Sequence, residues 1–295
     1  MCRQKTKGYF MTYPSKSRTA IALLTICVSS LLLFCGCANL SGIREFAKTS
    51  AEAAAFQGVT QDFITTLERR EALVKPPGAA PVAQGTLEER KDLKKRLDAA
   101  QQVLVNYMKA LEALSSNDLI VYNMELDALG KSLGDAKIAS KKDISTYKAA
   151  VNLIVRISAD FYRQRKLKEI IPDADPYVVQ AITLMKEIIT DHYLLSIGNE
   201  EDQIDLFFNR IYADAAARNV LGLSMLARFS SVELRENVQA KKQAAKKYLR
   251  ILDEISEGHR RMTENISHIS SEEIRTQLLA YRKDIEKLYK AIKGD

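Results

Sequence analysis

Between Leu93 and Leu114, the apolar residues Leu93, Leu97, Ala100, Leu104, Tyr107, Leu111 and Leu114 recur at alternating intervals of four and three. Only a helix gathers such positions on one face; a strand would scatter them over both. A near-strict heptad seam also needs another surface to bury it, so the spacing predicts helices packed on helices. The rest of the chain agrees. Only 12 Gly and 6 Pro interrupt 295 residues, while Ala, Leu, Lys and Glu, all good helix formers, are abundant. No strand-like alternation stands out, and no repeat of about 33–45 residues suggests a solenoid. The expected fold is all-α: a bundle of about six to eight mostly long amphipathic helices.

Residues 40–56 are Ala-rich and read as continuing into the helix that carries Val59, Phe63, Leu67 and Leu73. The segment "KPPGAAPVAQG", residues 75–85, is a loop, because Pro-Pro and two Gly forbid a regular helix. Thr86 and Glu89 form a capping box for the heptad helix. A shorter helix is expected around residues 119–133. Another starts near Ser140 or Asp143, carries Ile144, Tyr147, Val151, Ile154 and Phe161, and stops at Pro172. Asp175 and Pro176 then suit a cap and first turn, leading a helix through Ile182, Met185, Ile189 and Tyr193 to Gly198. Asn199 opens the next, in which "VLGLSMLARF", residues 220–229, is apolar almost all round and reads as the buried central helix. A long amphipathic helix is expected from Ser231 to about Ile266. The last starts at Ser270, with Glu273 as box partner and Ile274, Leu278, Tyr281, Ile285, Leu288 and Ile292 as its seam.

All four cysteines (Cys2, Cys27, Cys35, Cys37) fall in the first 37 residues. Basic residues precede an apolar run from Ala20 to Phe34, and small residues follow it. That is the order of a secretory signal, and the run is too short to span a bilayer as a helix. Met11 is an alternative start, since "MTYPSKSRTAIALL" has normal signal proportions by itself. The segment "LLLFCGC" resembles the lipobox of bacterial lipoproteins, with Gly36 preceding the cysteine. Phe34 departs from the Leu preferred three residues before that cysteine. The resemblance implies residues 1–36 as signal peptide and 37–295 as the helical domain. It also implies acylation of Cys37 and, with Ala38 rather than Asp next, an outer-membrane address facing the periplasm. No cysteine remains downstream to pair with Cys37, so the domain must rely on its core.

The formal net charge of +7 comes largely from this leader. Arg3, Lys5, Lys7, Lys16 and Arg18 have no acidic counterpart there; without them 39 basic residues face 37 acidic ones. A near-neutral body gives no footprint for nucleic acid. The three histidines, His192, His259 and His268, are too dispersed for zinc, which takes three or four clustered donors. His192 and His259 lie on apolar faces and read as core or boundary residues; Glu264 and His268 are helix neighbours without a second pair. Asp173 and Asp175 could serve acid–base chemistry but suit a helix start better, and "NEED", residues 199–202, lacks the calcium-loop pattern. No motif calls for a cofactor or metal. Lys242, Lys246 and Arg250 are four apart and share a helix face, which could meet an anionic surface or simply face solvent.

These features point to a lipid-anchored envelope protein without catalytic activity, presenting helices to a protein partner as adaptor, inhibitor or assembly factor. Two alternatives stay open: an enzyme with a site in the bundle cleft, and a membrane-remodelling or pore-related helical protein.

Overall fold

The computed structural model describes residues 40–74, 84–116 and 160–294, all within one compact unit that spans Asn39–Asp295. The helices expected around 119–133 and from 140 to 159, most of the loop at 75–85, and Cys37 lie outside these residues. Among the described residues the fold is all-α, without a strand.

The elements are α1 (Ser41–Ala54), α2 (Gly58–Val74), α3 (Gln84–Ser116), α4 (Asp160–Glu187), a π-helical segment (Ile188–Leu194), α5 (Leu195–Ala217), α6 (Leu221–Glu264), a 3₁₀ turn (Ile266–His268) and α7 (Glu272–Lys293). The heptad seam is buried as expected, from Leu97 to Leu114. Between Leu97 and Ser115 only Gln102 and Lys109 of α3 are exposed. Its helix begins at Gln84, two residues before the expected Thr86.

Several boundaries differ from the sequence reading. Residues 40–74 do not form one helix. The chain breaks at Ala55–Gln57, where the Gln101 amide donates to the carbonyls of Ala54 (2.7 Å) and Phe56 (2.9 Å). The Tyr248 hydroxyl also donates to Ala54 O at 2.7 Å. Partners from α3 and α6 thus satisfy carbonyls that a continuing helix would have used.

Pro172 does not stop a helix and Asp175 does not cap one, since both lie inside α4. An internal proline costs about 3 kcal/mol. Leu167, Ile170, Ile171, Ala174, Val178, Ala181, Ile182 and Met185 form one buried seam through both prolines. At roughly 1.5–3 kcal/mol for each large side chain, its burial outweighs them. The same continuity overrides Gly198 as a cap and Asn199 as a start, because the seam resumes at Ile197, Ile204 and Phe208 within α5.

The largest correction concerns residues 220–229. They are not a buried central helix. α5 ends in a Schellman turn, with Val220 N–H donating to Ala215 O (2.9 Å) and Asn219 N–H to Ala216 O (3.2 Å). Asn219 takes the left-handed position at φ 58°, which Asn tolerates better than most residues. α6 therefore starts at Leu221, ten residues before the expected Ser231, and ends at Glu264. Its 44 residues reach about 66 Å. The buried central helix is α3.

α7 starts one residue later than expected, with Ser271 rather than Ser270 as cap, accepting from Ile274 N–H at 3.3 Å. Its seam packs as read: Ile274, Leu278, Ile285 and Leu288 are buried, and Tyr281 and Ile292 lie against the core. α1 packs so closely on α7 and α6 that two glycines are required. A Cβ on Gly42 would stand 2.9 Å from Arg275 Cα, and one on Gly258 would stand 2.4 Å from the Phe46 ring.

Candidate functional site

Three features go beyond core packing. The first is an ion network around the π-helical segment. On α2, Asp62, Thr66 and Arg69 share one face. Arg69 forks onto Asp62 through two hydrogen bonds of 2.7 and 2.9 Å and onto Glu200 of α5 through two of 2.6 and 2.9 Å. Thr66 donates to Glu200 at 2.8 Å. Lys241 and Tyr193 each donate to Asp62 at 2.9 Å. Burial opposes ionisation of Asp62, but Arg69, then Lys241, outweigh it and hold its carboxyl far below the usual carboxylate range. Burial, then the Asp62 charge, push the Tyr193 phenol well above its ordinary value. Donors from three elements converge on Asp62 and Glu200, so the network clamps α2, α5 and α6 together.

Beside it, Arg90 of α3 lies 4.0 Å over the Phe63 ring. It donates to Phe63 O (2.9 Å), Ser196 Oγ (2.8 Å) and His192 O (3.3 Å). The His192 carbonyl, in the π-helical segment, also accepts from the Leu195 N–H, so Arg90 shares an acceptor that the helix already uses. Burial, with Arg70 close by, lowers Arg90 to about 10.

The second feature is His259, 1 % exposed. Its Nδ1 lies 3.1 Å from the Tyr107 hydroxyl, and its Nε2 lies 3.0 Å from Asp175 Oδ1, off the line of a good hydrogen bond. The reading of His259 as a core histidine agrees with this position. Burial lowers its pKa, against the opposing pull of Asp175, and the ring joins α3, α4 and α6.

The third feature is the α5–α6 hairpin. Tyr212 and Ser231 hydrogen-bond across it at 2.9 Å, and Phe208, Ala215 and Ala227 fill its inner face. Its outer face is apolar and open. Leu221 is 75 % exposed, Phe229 71 %, Leu226 65 % and Met225 55 %. Met225, Phe229 and Val232, with Arg228, Glu233 and Glu236, line an open groove of about 600 Å³. A second cleft, about 610 Å³, lies between α1 and α7. Some of its charges pair with each other: Arg282 bonds Glu45 and Glu286, and Lys290 bonds Glu286.

The basic face expected on α6 is only partly open. Lys242 pairs with Glu201 at 2.8 Å, whereas Lys246 and Arg250 are exposed. Ala245 and Leu252 face the core as the spacing required. Glu264 pairs with Arg260 rather than with His268. Among the described residues no group of three His, Cys, Asp or Glu could hold a metal ion.

No protein-family model, curated protein or solved structure matches this chain.

Proposed function

We propose that the chain is a lipid-anchored protein of the bacterial cell envelope that acts without catalysis, through contacts made by the α5–α6 hairpin. The observation that carries this reading is the apolar outer face of the hairpin. A soluble protein rarely leaves large apolar side chains contiguous and open unless they bind something. The ion network supports it as well, since its groups tie α2, α5 and α6 together. On this reading Cys37 carries the lipid, the address is the outer membrane facing the periplasm, and residues 37–295 form a bundle of about six to eight helices.

The geometry suits an anchored adaptor or assembly factor. Ser41 opens α1 only four residues after Cys37, within about 14 Å of extended chain. From Gly258, which packs on α1 through Phe46, α6 runs about 55 Å to Leu221. Lys246 and Arg250 lie between these points and could meet an anionic surface. Among the described residues no helix is long and apolar enough to cross a membrane, so attachment would rest on the acyl chains, two or more of which give a stable anchor.

Cys37→Ser should abolish palmitate labelling and release the protein from membranes; unchanged labelling would remove the anchor from the proposal. A photoreactive residue at Leu226 should form protein adducts in intact cells, while one at exposed Lys246 should form far fewer. An absence of Leu226 adducts would overturn the interaction role. The hairpin's apolar face also favours a second reading, shallow insertion into lipid. Leakage of vesicles by the Cys37→Ser chain, lost in Phe229→Glu, would support that reading instead.

A further inference from the structure

The cleft between α1 and α7 holds charges of both signs. Arg44, Lys48 and Glu52 stand at i, i+4 and i+8 on the outer face of α1, each exposed, and Glu112 of α3 lines the same cleft half-buried. Glu45 and Glu286 are taken up by Arg282, whereas among the described residues the side chains of Arg44, Lys48, Glu52 and Glu112 form no hydrogen bond or ion pair. Burial raises the Glu112 carboxyl above its ordinary value; Lys48, Lys109 and Arg44 pull it down and Glu52 pushes it up, so these charges feel one another. An anion alone would meet the carboxylates, and a cation alone would meet Arg44 and Lys48. A ligand that carries both charges complements the cleft without leaving either pair opposed.

We infer that the cleft takes the phosphoethanolamine headgroup of a membrane phospholipid, its phosphate on Arg44 and Lys48 and its ammonium on Glu52 and Glu112. The inference rests on the anchor at Cys37 proposed above. Arg44 follows that cysteine by seven residues, and each step from Arg44 to Lys48 to Glu52 climbs about 6 Å along α1. The cations therefore stand nearer the anchor than Glu52. A phospholipid presents its charges in the same order, with the phosphate next to the glycerol and the ammonium at the far end of the ethanolamine. The phosphate forms charge-assisted hydrogen bonds with Arg and Lys, and the ammonium has N–H donors for both carboxylates. A cleft of about 610 Å³ has room for such a group. Seated there, the headgroup holds α1 against the bilayer and fixes the angle at which the bundle leaves it.

The test uses the full chain in mild detergent, titrated with short-chain phospholipids, with bound lipid counted by native mass spectrometry. Phosphatidylethanolamine should be retained about tenfold more tightly than phosphatidylglycerol, which has no ammonium, or phosphatidylcholine, whose ammonium has no N–H to donate. Glu52→Gln with Glu112→Gln should erase that preference and leave the phosphatidylglycerol level. Arg44→Ala with Lys48→Ala should lose all three lipids. Both double variants should keep the wild-type melting curve, because none of the four side chains is fully buried. Equal retention of the three lipids, or a preference unchanged in either double variant, would overturn the headgroup site. Displacement by equimolar free phosphoethanolamine would assign the cleft to a soluble ester and overturn the lipid. Palmitate labelling of Cys37 is read separately. A labelled chain that retains no phosphatidylethanolamine loses the cleft and keeps the anchor; an unlabelled chain that retains it keeps the cleft and loses the anchor.

Discussion

Asp62 accepts from Arg69, Lys241 and Tyr193, groups drawn from three separate stretches of chain. Because its folded pKa lies below the unfolded value, it binds fewer protons in the fold. Its stabilisation is then complete above about pH 4 and fades as pH falls through the folded value. Asp62→Asn should cost roughly 2–4 kcal/mol at pH 7, since it leaves Arg69 and Lys241 without their shared carboxylate. In urea unfolding, the gap between variant and wild type should shrink as pH drops below about 4; a constant gap would show that the charge does not matter. This network was not legible in the sequence. Asp62 and Lys241 are 179 positions apart, and each charge read locally looks like part of a solvated helix face. The one available signal was Thr66, a polar residue on the same face as Val59 and Phe63. His259, by contrast, was legible, because an apolar helix face already implied burial.

At the scale of elements, heptad and i, i+3, i+4 seams were legible wherever they were long. α3, α6 and α7 bury or pack against the core most of the positions the spacing named, but Leu234, read as the start of the α6 seam, is exposed. Breakers misled. Pro172, Pro176 and Gly198 were read by their local preference, yet a seam that continues on both sides supplies more free energy than they remove. Residues 220–229 misled in the opposite direction, because apolar composition marks a surface that will be covered without saying by what. Gly258 was not singled out, and it sets the distance between α6 and α1. Alanine there would gain about 1 kcal/mol of helix propensity. It would also drive its Cβ into the fully buried ring of Phe46, costing about 1–3 kcal/mol. Gly258→Ala should therefore lower stability by up to about 2 kcal/mol in denaturant unfolding. A stabilised variant would mean that Phe46 can move aside.

For the molecule as a whole, α1 and α7 lie against each other, with Arg275 bonding Ser41 at 3.2 Å. The two ends of the described chain thus share one core. A stop at Ser271 removes α7 and uncovers the faces of α1 and α6 beneath it. The truncated chain should lose its cooperative thermal transition, followed by circular dichroism; a sharp melt close to wild type would place α7 outside the core. The bundle class was legible in the sequence, but its closure by the two terminal helices was not, since periodicity gives each helix a face and no neighbour. The π-helical segment has a consequence for inheritance. An i+5 turn holds one residue more than an α turn. Losing a single codon between Ile188 and Leu194 would let the ladder close as an ordinary helix and leave the flanking seams in phase. The same loss elsewhere in α4 or α5 would turn every following residue by about 100° and bring its polar side inward. The gene can therefore shorten here by one codon and almost nowhere else along this stretch.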